Sequence, residues 1–274
     1  MTMTTGQAGS VVVRRQLGIQ LRKLRLAAGK SVMDVTEAGL GSKAKISRIE
    51  TGKGPVKVAD VRTLCWLYGV DAATTDALAA LTPGTQQEGW WEEYGDVVVP
   101  DWFGLYAGLE AAASRIRCFE PELVHGLLQT PEYATAVFGS DPRLTSDVIA
   151  QRVRFRMERQ QQMQRDDPPA VTVIMGESAL ARLVGSADIM REQIDRLCTE
   201  TRADVRVLPF SAGAYPLRRS FVLLDFADEE DPSVAYVDVP MGARYFDHDP
   251  ERAEYEYVFD VIHSKSIPIT EWKT

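Results

Sequence analysis

The sequence predicts an all-α N-terminal domain of five helices, followed by a mixed α+β C-terminal domain. Apolar residues recur at helical spacing up to about residue 82, whereas β-rich runs alternate with helical segments after residue 170. The charge changes as well. Residues 1–70 carry 12 Lys+Arg against 4 Asp+Glu, a balance of +8, and residues 71–274 carry 19 against 35, a balance of −16. A basic domain joined to an acidic one indicates that the first domain meets a polyanionic partner.

The N-terminal domain is predicted to span residues 11–82, between a disordered arm at 1–10 and a linker at 83–88. Helix one is expected at about Val12–Ala28, with leucines at helical spacing for the core. Serine side chains that precede apolar segments are typical helix caps. The remaining four helices are expected after Ser31, after Ser42, at about Val58–Tyr68 and at about Ala72–Leu81.

The stretch 31–52 has the length of two short helices that meet at a tight turn, the arrangement that carries a helix into the DNA major groove. At 100° per residue, the third helix points Ile46 and Ile49 to one side, beside Glu50. Small and basic side chains occupy the other side. The predicted DNA-binding residues are Ser42, Lys43, Ala44, Lys45, Ser47, Arg48 and Lys53.

These residue types match the chemistry of a DNA duplex. Arg48 or Lys43 could reach guanine acceptors, while Lys45 meets a phosphate. An isolated basic helix face is also what a solvated surface looks like. The loop at 52–55 has two readings as well: its free amides could hold a phosphate oxygen with help from Lys53, or it could be a simple turn.

The segments RRQLGIQLRKLRLAAGKSVMDVTEAGLGSKAKISRIETGKG and VADVRTLCWLYGV together resemble the XRE or Cro/repressor-type helix-turn-helix unit of five helices. SKAKISRIETG carries most of the resemblance. It implies a partly buried ion pair between Arg25 in helix one and Glu50 in the third helix. Two positions depart from the family: Val32 replaces a glutamine that touches the DNA backbone in relatives, and Leu40 replaces the usual turn glycine.

Composition excludes several other classes of protein. No apolar run approaches the roughly 18 residues of a membrane span, and the N-terminus lacks a secretory segment, so we expect a cytosolic protein without a membrane partner. The three cysteines lie far apart, and the chain has no CxxC, HxxxH or HExxH spacing. We therefore expect no disulfide framework, no metal and no cofactor.

The C-terminal domain is predicted to occupy residues 89–274. Three of the five tryptophans fall within 15 residues, at 90, 91 and 102, either as a ligand cage or, as is more common for aromatic clusters, as packing. A long helix is expected at about Asp147–Arg165. Short turns between successive late strands favour an α+β domain over a doubly wound one. The predicted strands lie near 115–119, 171–175, 205–208, 221–226 and 234–239.

This domain also resembles a known family. EPELVHGLLQTPEY and VRVLPFSAG are similar to the domain of unknown function that follows the helix-turn-helix in many actinomycete regulators. Some members are described as antitoxin-like, because a small partner protein often accompanies them. The two resemblances together cover roughly Arg14 to Trp272. They imply a transcription regulator whose acidic domain senses or binds something.

The candidates for catalysis are Glu177, Arg182, Arg156 and Asp238, which could form a polar cluster. No GxSxG elbow, glycine-rich phosphate loop or metal-ligand cluster accompanies them, so we predict that the protein is not an enzyme. We predict a sequence-specific regulator that binds double-stranded DNA as a homodimer, on half-sites about 34 Å apart. Its C-terminal domain would dimerise and receive a small protein partner or a small-molecule ligand. The alternative is an antitoxin-like protein that neutralises a small partner and uses DNA binding for autoregulation.

Overall fold

The computed structural model divides into two compact units, one formed by Met1–Glu93 with Ala107–Ala112 and the other by Tyr94–Tyr106 with Ala113–Thr274. The first is helical and the second combines helices with one sheet, which confirms the predicted fold class. Residues 1–8 of the predicted arm, 87–88 of the predicted linker, Trp90 and Trp91 lie outside the described residues. The structure describes residues 9–54, 56–86, 94–99, 101–161, 164–165, 167–216, 219–227, 233–239, 242–247 and 249–272.

Within the described residues before residue 87, the N-terminal unit contains five α-helices. The first starts earlier than predicted, inside the proposed arm, and two of the others begin at the expected serine caps. Ser31 forms a capping box with Asp34, and the Ser42 hydroxyl accepts the amide of Lys45. Apolar side chains from the five helices, Leu17 and Leu21 among them, share one core. The helices are α1 (Gly9–Ala27), α2 (Val32–Glu37), α3 (Lys43–Glu50), α4 (Val58–Tyr68) and α5 (Ala72–Ala80).

Two glycines allow α1 to pack directly on the C-terminal end of α3. A Cβ atom on Gly18 would lie 2.4 Å from the carbonyl oxygen of Ile49. A Cβ atom on Gly52, which has φ +67°, would lie 2.9 Å from the Cα atom of Arg15. Both distances are shorter than non-bonded carbon contacts permit. The absence of side chains at these two positions therefore sets how closely the two helices approach.

The predicted linker is incorrect for residues 83–86, because Thr82–Gln86 form a 3-10 helix of the N-terminal unit. Thr82 and Thr85 are buried. The hydroxyl of Thr85 accepts the amide of Val56 at 3.1 Å, and its carbonyl accepts Nε of Arg14 at 2.7 Å. The small polar composition that suggests a linker here satisfies buried backbone groups instead.

The C-terminal unit is built on a seven-stranded sheet in the order β6-β5-β4-β1-β2-β3-β7. All five predicted strands are present, and β6 and β7 are additional. The three strands β1, β2 and β3 are parallel to one another, whereas β4 is antiparallel to β1. The strands are β1 (Arg115–Glu120), β2 (Ala170–Gly176), β3 (Ala203–Leu208), β4 (Phe221–Asp225), β5 (Val234–Val239), β6 (Gly242–Phe246) and β7 (Ile267–Pro268).

One face of this sheet packs on the last long helix. Phe119, Phe221 and Leu223 of the sheet share an apolar core with Val258 and Ile262. The helix predicted at 147–165 is shorter than expected, because it is described over Ser146–Gln161 and residues 164 and 165 are not α-helical. The remaining helices are α6 (Gly95–Val98), α7 (Asp101–Ala112), α8 (Pro131–Gly139), α9 (Ser146–Gln161), α10 (Glu177–Ala181), α11 (Ala187–Thr199) and α12 (Asp249–Lys265).

Candidate DNA-binding surface

The exposed face of α3 carries the side chains that helical periodicity placed there. Ile46 and Ile49 point inward, with 0% and 5% of their surface exposed, and anchor the helix in the core. The opposite face is polar, small and basic, and its side chains are directed to solvent. The exposed residues of this stretch are Ser42, Lys43, Ala44, Lys45, Ser47 and Arg48. Its backbone can therefore come close to a partner that the basic side chains attract.

The loop after α3 is a helix cap. The amide of Lys53 donates to the carbonyl of Arg48 at 2.9 Å, and the amide of Gly52 donates to that of Ile49 at 3.1 Å. These two amides are therefore already used, which favours the turn over the phosphate cradle that the sequence also allowed. The Lys53 side chain is exposed. A Cβ atom on Gly54 would lie 2.8 Å from Nη2 of Arg48, so this glycine leaves room for the guanidinium group.

Lys45 has a charged neighbour that the sequence did not reveal. Its Nζ lies 2.6 Å from Oδ1 of Asp60 on α4. The pair is partly exposed to solvent, and such pairs contribute only about 0–1 kcal/mol, so a phosphate group could replace Asp60 as the partner of Lys45. The 15-residue separation of the two residues gives no sequence signal for this contact.

Arg25 and Glu50 form the ion pair that the resemblance implies. Nε of Arg25 donates to Oε1 of Glu50 at 2.6 Å, and Nη2 donates to Oε2 at 2.9 Å. Nη1 donates to the carbonyl of Lys30 at 2.8 Å. Both side chains are only 8% exposed. Burial, together with the nearby Glu50 carboxylate, raises the pKa of Tyr68 to about 12. This bidentate pair ties the last turn of α1 to the last residue of α3.

The four residues proposed as candidates for catalysis do not form one cluster. Glu177 accepts the amide of Phe210 at 2.5 Å, and Arg182 pairs with Glu122. Arg156 and Asp238 do belong together, because both act on the carboxyl group of Glu120. Sequence reasoning missed Glu120 and a second arginine, Arg159. We call Glu120, Asp238, Arg156 and Arg159 the carboxyl-edge cluster, since Glu120 and Asp238 lie at the carboxyl ends of β1 and β5.

Two groups in and beside this cluster have strongly shifted pKa values. Burial raises the pKa of Glu120 to about 8, Asp238 raises it further, and Arg159 and Arg156 oppose the change. Burial lowers the pKa of His125 to about 3, with Arg159 and Arg156 acting in the same direction. Burial also raises the pKa of Asp238. At neutral pH, Glu120 is therefore mostly a neutral carboxylic acid and His125 a neutral imidazole.

These shifts predict that the C-terminal unit has a plateau of stability. Folded Glu120 holds its proton between pH 4.5 and 8, where the unfolded side chain has lost it, so stability falls as pH rises through that range. Folded His125 stays neutral between pH 6.5 and 3, where the unfolded side chain is protonated, so stability falls as pH decreases. Between pH 4.5 and 6.5 the two effects on stability have opposite sign and cancel. Outside the plateau, each group should remove about 2 kcal/mol.

Urea unfolding of the C-terminal unit between pH 3 and 9 measures this profile. Glu120→Gln should remove the decline above pH 6.5. It should also remove the plateau, because the slope from His125 then extends unopposed from pH 3 to 6.5. An alkaline decline of the same size in wild type and variant would contradict the assignment to Glu120.

Within the ranges that the structure describes, no group of three His, Cys, Asp or Glu side chains is arranged to hold a metal ion. No helix of those same ranges combines the length and apolar character that crossing a membrane requires.

Comparison with known proteins agrees with the two-unit architecture. Residues 16–78 match the family described as Helix-turn-helix domain, which covers α2, α3 and the turn between them. Residues 103–271 match the family described as Domain of unknown function (DUF5753). No curated protein and no solved structure matches the chain. Since the second match covers more than half of the 274 residues, the chain belongs to the DUF5753 family and carries an N-terminal helix-turn-helix domain.

Proposed function

We propose that this protein is a sequence-specific transcription regulator of the XRE type that acts in the cytoplasm and binds duplex DNA through α3. The observation that carries the proposal is the construction of α3, an exposed basic face on an apolar back that the Arg25–Glu50 pair fixes to α1. A helix held in this way can enter the major groove without losing its orientation. In this proposal, Arg48 reads a guanine, and Lys43, Lys45 and Lys53 contact backbone phosphates.

Replacing Arg48 tests this docking. Arg48→Ala should weaken binding to the specific site by about 1–3 kcal/mol, which corresponds to about 5- to 150-fold, and relax the preference at one base position. A mobility-shift assay on genomic fragments against scrambled competitor measures both effects. The matched control is Arg62→Ala, since Arg62 is also exposed but pairs with Asp76 on α5. Equal losses in both variants, or no loss in either, would contradict the docking through α3.

Each copy of α3 covers only a few base pairs, so the proposal includes a homodimer on two half-sites about 34 Å apart. The spacing makes DNA affinity sensitive to any change in dimer geometry. We assign this control to the C-terminal unit. The carboxyl-edge cluster favours a small molecule over a small protein as the partner of this unit. A few partly buried polar side chains from different elements that lie close together are typical of a small-molecule site rather than of a protein interface.

A further inference from the structure

The register of the sheet places Glu120 and Asp238 at the same level. Phe119 is paired with Phe221, and Val222 with Tyr236. Continuing both ladders by one or two residues puts Glu120 and Asp238 on either side of position 220, about 10 Å apart in backbone spacing. Residues at one level of neighbouring strands point to the same face. Both carboxyl groups therefore project from the face opposite the core that packs on α12.

The basic half of the carboxyl-edge cluster comes from α9. The guanidinium of Arg159 lies 5.4 Å from the ring centre of Phe103 and 5.6 Å from that of Tyr106, and only 5% of this residue is exposed. Arg156 is half-buried and lies 4.3 Å from the ring centre of Phe138. Two arginines held against aromatic rings keep their charge in a fixed place.

The segment EPELVHGLLQTPEY, one of the two motifs that carry the sequence resemblance, contains the loop against which these arginines pack. A Cβ atom on Gly126 would lie 3.1 Å from Nη2 of Arg159 and 3.5 Å from Nε of Arg156. Gln160 fixes the loop by donating to the carbonyls of Gly126 at 3.0 Å and Gln129 at 2.8 Å. The loop and α9 therefore form one rigid support for two positive charges.

The acidic half has unused hydrogen-bonding capacity. Among the described residues, the neighbours that affect the carboxyl group of Glu120 act through their charge, and none of them acts through a hydrogen bond. Asp238 accepts a hydrogen bond from the hydroxyl group of Tyr236. Asp238 is exposed, whereas Glu120 is half-buried. Both residues therefore keep part of their surface open to solvent, where a ligand could reach them. A ligand that supplies hydrogen bonds to these carboxyl groups could therefore gain binding energy from them.

We propose that the carboxyl-edge cluster binds a small zwitterion of the amino-acid class, with its ammonium group between Glu120 and Asp238 and its carboxylate group on Arg156. The arrangement of charges selects this class. A simple cation would also meet two guanidinium groups, and a simple anion would meet Asp238, whereas a zwitterion is paired at both ends.

Binding of such a ligand has a diagnostic proton signature. Glu120 is mostly protonated at pH 7 because its pKa is about 8. An arriving ammonium group favours the ionised carboxylate, so binding should release nearly one proton. An anionic ligand would give no release, because it favours the protonated acid. Calorimetric titration at pH 7 in phosphate and in Tris, which differ in ionisation enthalpy, counts the released protons.

The experiment uses the full chain and each of the twenty protein amino acids as probes. At least one should bind and release a proton, and blocking its amino group by acetylation or its carboxyl group by amidation should weaken binding at least about tenfold. Glu120→Gln keeps the neutral state of the empty site and should fold, but it should lose at least about tenfold in affinity and the released proton. Glu122→Gln is the matched control, since Glu122 pairs with Arg182 outside the cluster.

Failure of this inference is distinguishable from failure of the proposed function. The inference deepens the proposed function by naming the class of its ligand, and it rests on that function only for the effect on DNA. If no amino acid binds, or if Glu120→Gln binds as wild type does, the ligand site is wrong even when Arg48→Ala weakens DNA binding as expected. If the chain binds an amino acid with release of a proton but shows no specific binding to DNA, the ligand site is supported and the proposed function is wrong.

Discussion

Glu50→Ala is expected to destabilise the N-terminal unit by about 3–5 kcal/mol, because it leaves the guanidinium of Arg25 buried without its carboxylate partner. Arg25 and Glu50 share two hydrogen bonds of 2.6 and 2.9 Å, and each side chain is 8% exposed. The remaining bond from Arg25 to the carbonyl of Lys30 cannot neutralise the charge. Hydrogen exchange of the α1 and α3 amides in the full chain measures the loss in this unit alone.

A double variant separates lost charge pairing from lost packing. Arg25→Met combined with Glu50→Leu removes both charges and keeps similar volume, so it should recover most of the stability that Glu50→Ala loses. It should not recover DNA affinity fully, since apolar contacts fix the end of α3 less strictly than a bidentate pair does. Wild-type protection of the α1 amides in Glu50→Ala would disprove a stabilising role for the pair.

Gly18→Ala should be the second most damaging change, costing about 2–3 kcal/mol. The new Cβ atom would lie 2.4 Å from the carbonyl oxygen of Ile49, and also 2.9 Å from the backbone of Glu50. Neither contact can be relieved by rotating a side chain, because both partners are backbone. The variant must move α1 away from the end of α3, and it should therefore lose DNA affinity as well as stability.

Gly139→Ala provides the control for Gly18→Ala. Gly139 is the last residue of α8, and a Cβ atom there would meet nothing within 4 Å. This change should leave stability unchanged or raise it slightly, since alanine favours the helix. Unfolding of both variants in urea gives the comparison, and equal midpoints would show that α1 and α3 do not need the close approach.

Local patterns in the sequence were sufficient to predict α3. Helical spacing alone places Ile46 inside and Arg48 outside, and serine caps mark where α2 and α3 begin. The 3-10 helix at 82–86 could not be predicted in the same way. Its composition is that of a linker, and only tertiary contacts, such as the bond between the Thr85 hydroxyl and the amide of Val56, make it part of the core.

The site contacts that could not be predicted from the sequence join residues that lie far apart in the chain. Lys45 meets Asp60 because α3 and α4 pack together, and no local pattern records this contact. Glu120 and Asp238 are 118 residues apart, and the strand order brings them to one level of the sheet, on either side of β4. Strand order depends on which pairing buries the apolar face best over the whole sheet. Arg156 and Asp238 could therefore be proposed as polar candidates without their common neighbour.

The 3-10 helix at 82–86 determines where the DNA-binding part of this protein can be cut. A fragment that stops at residue 81 would lose the hydroxyl that accepts the Val56 amide and the carbonyl that accepts the Arg14 side chain. Val56 follows the loop after α3, and Arg14 lies in α1 near Gly18, which packs on α3. The packing of α1 and of the loop after α3 would therefore loosen. An N-terminal fragment that keeps the DNA preference of the full chain must therefore continue through Gln86.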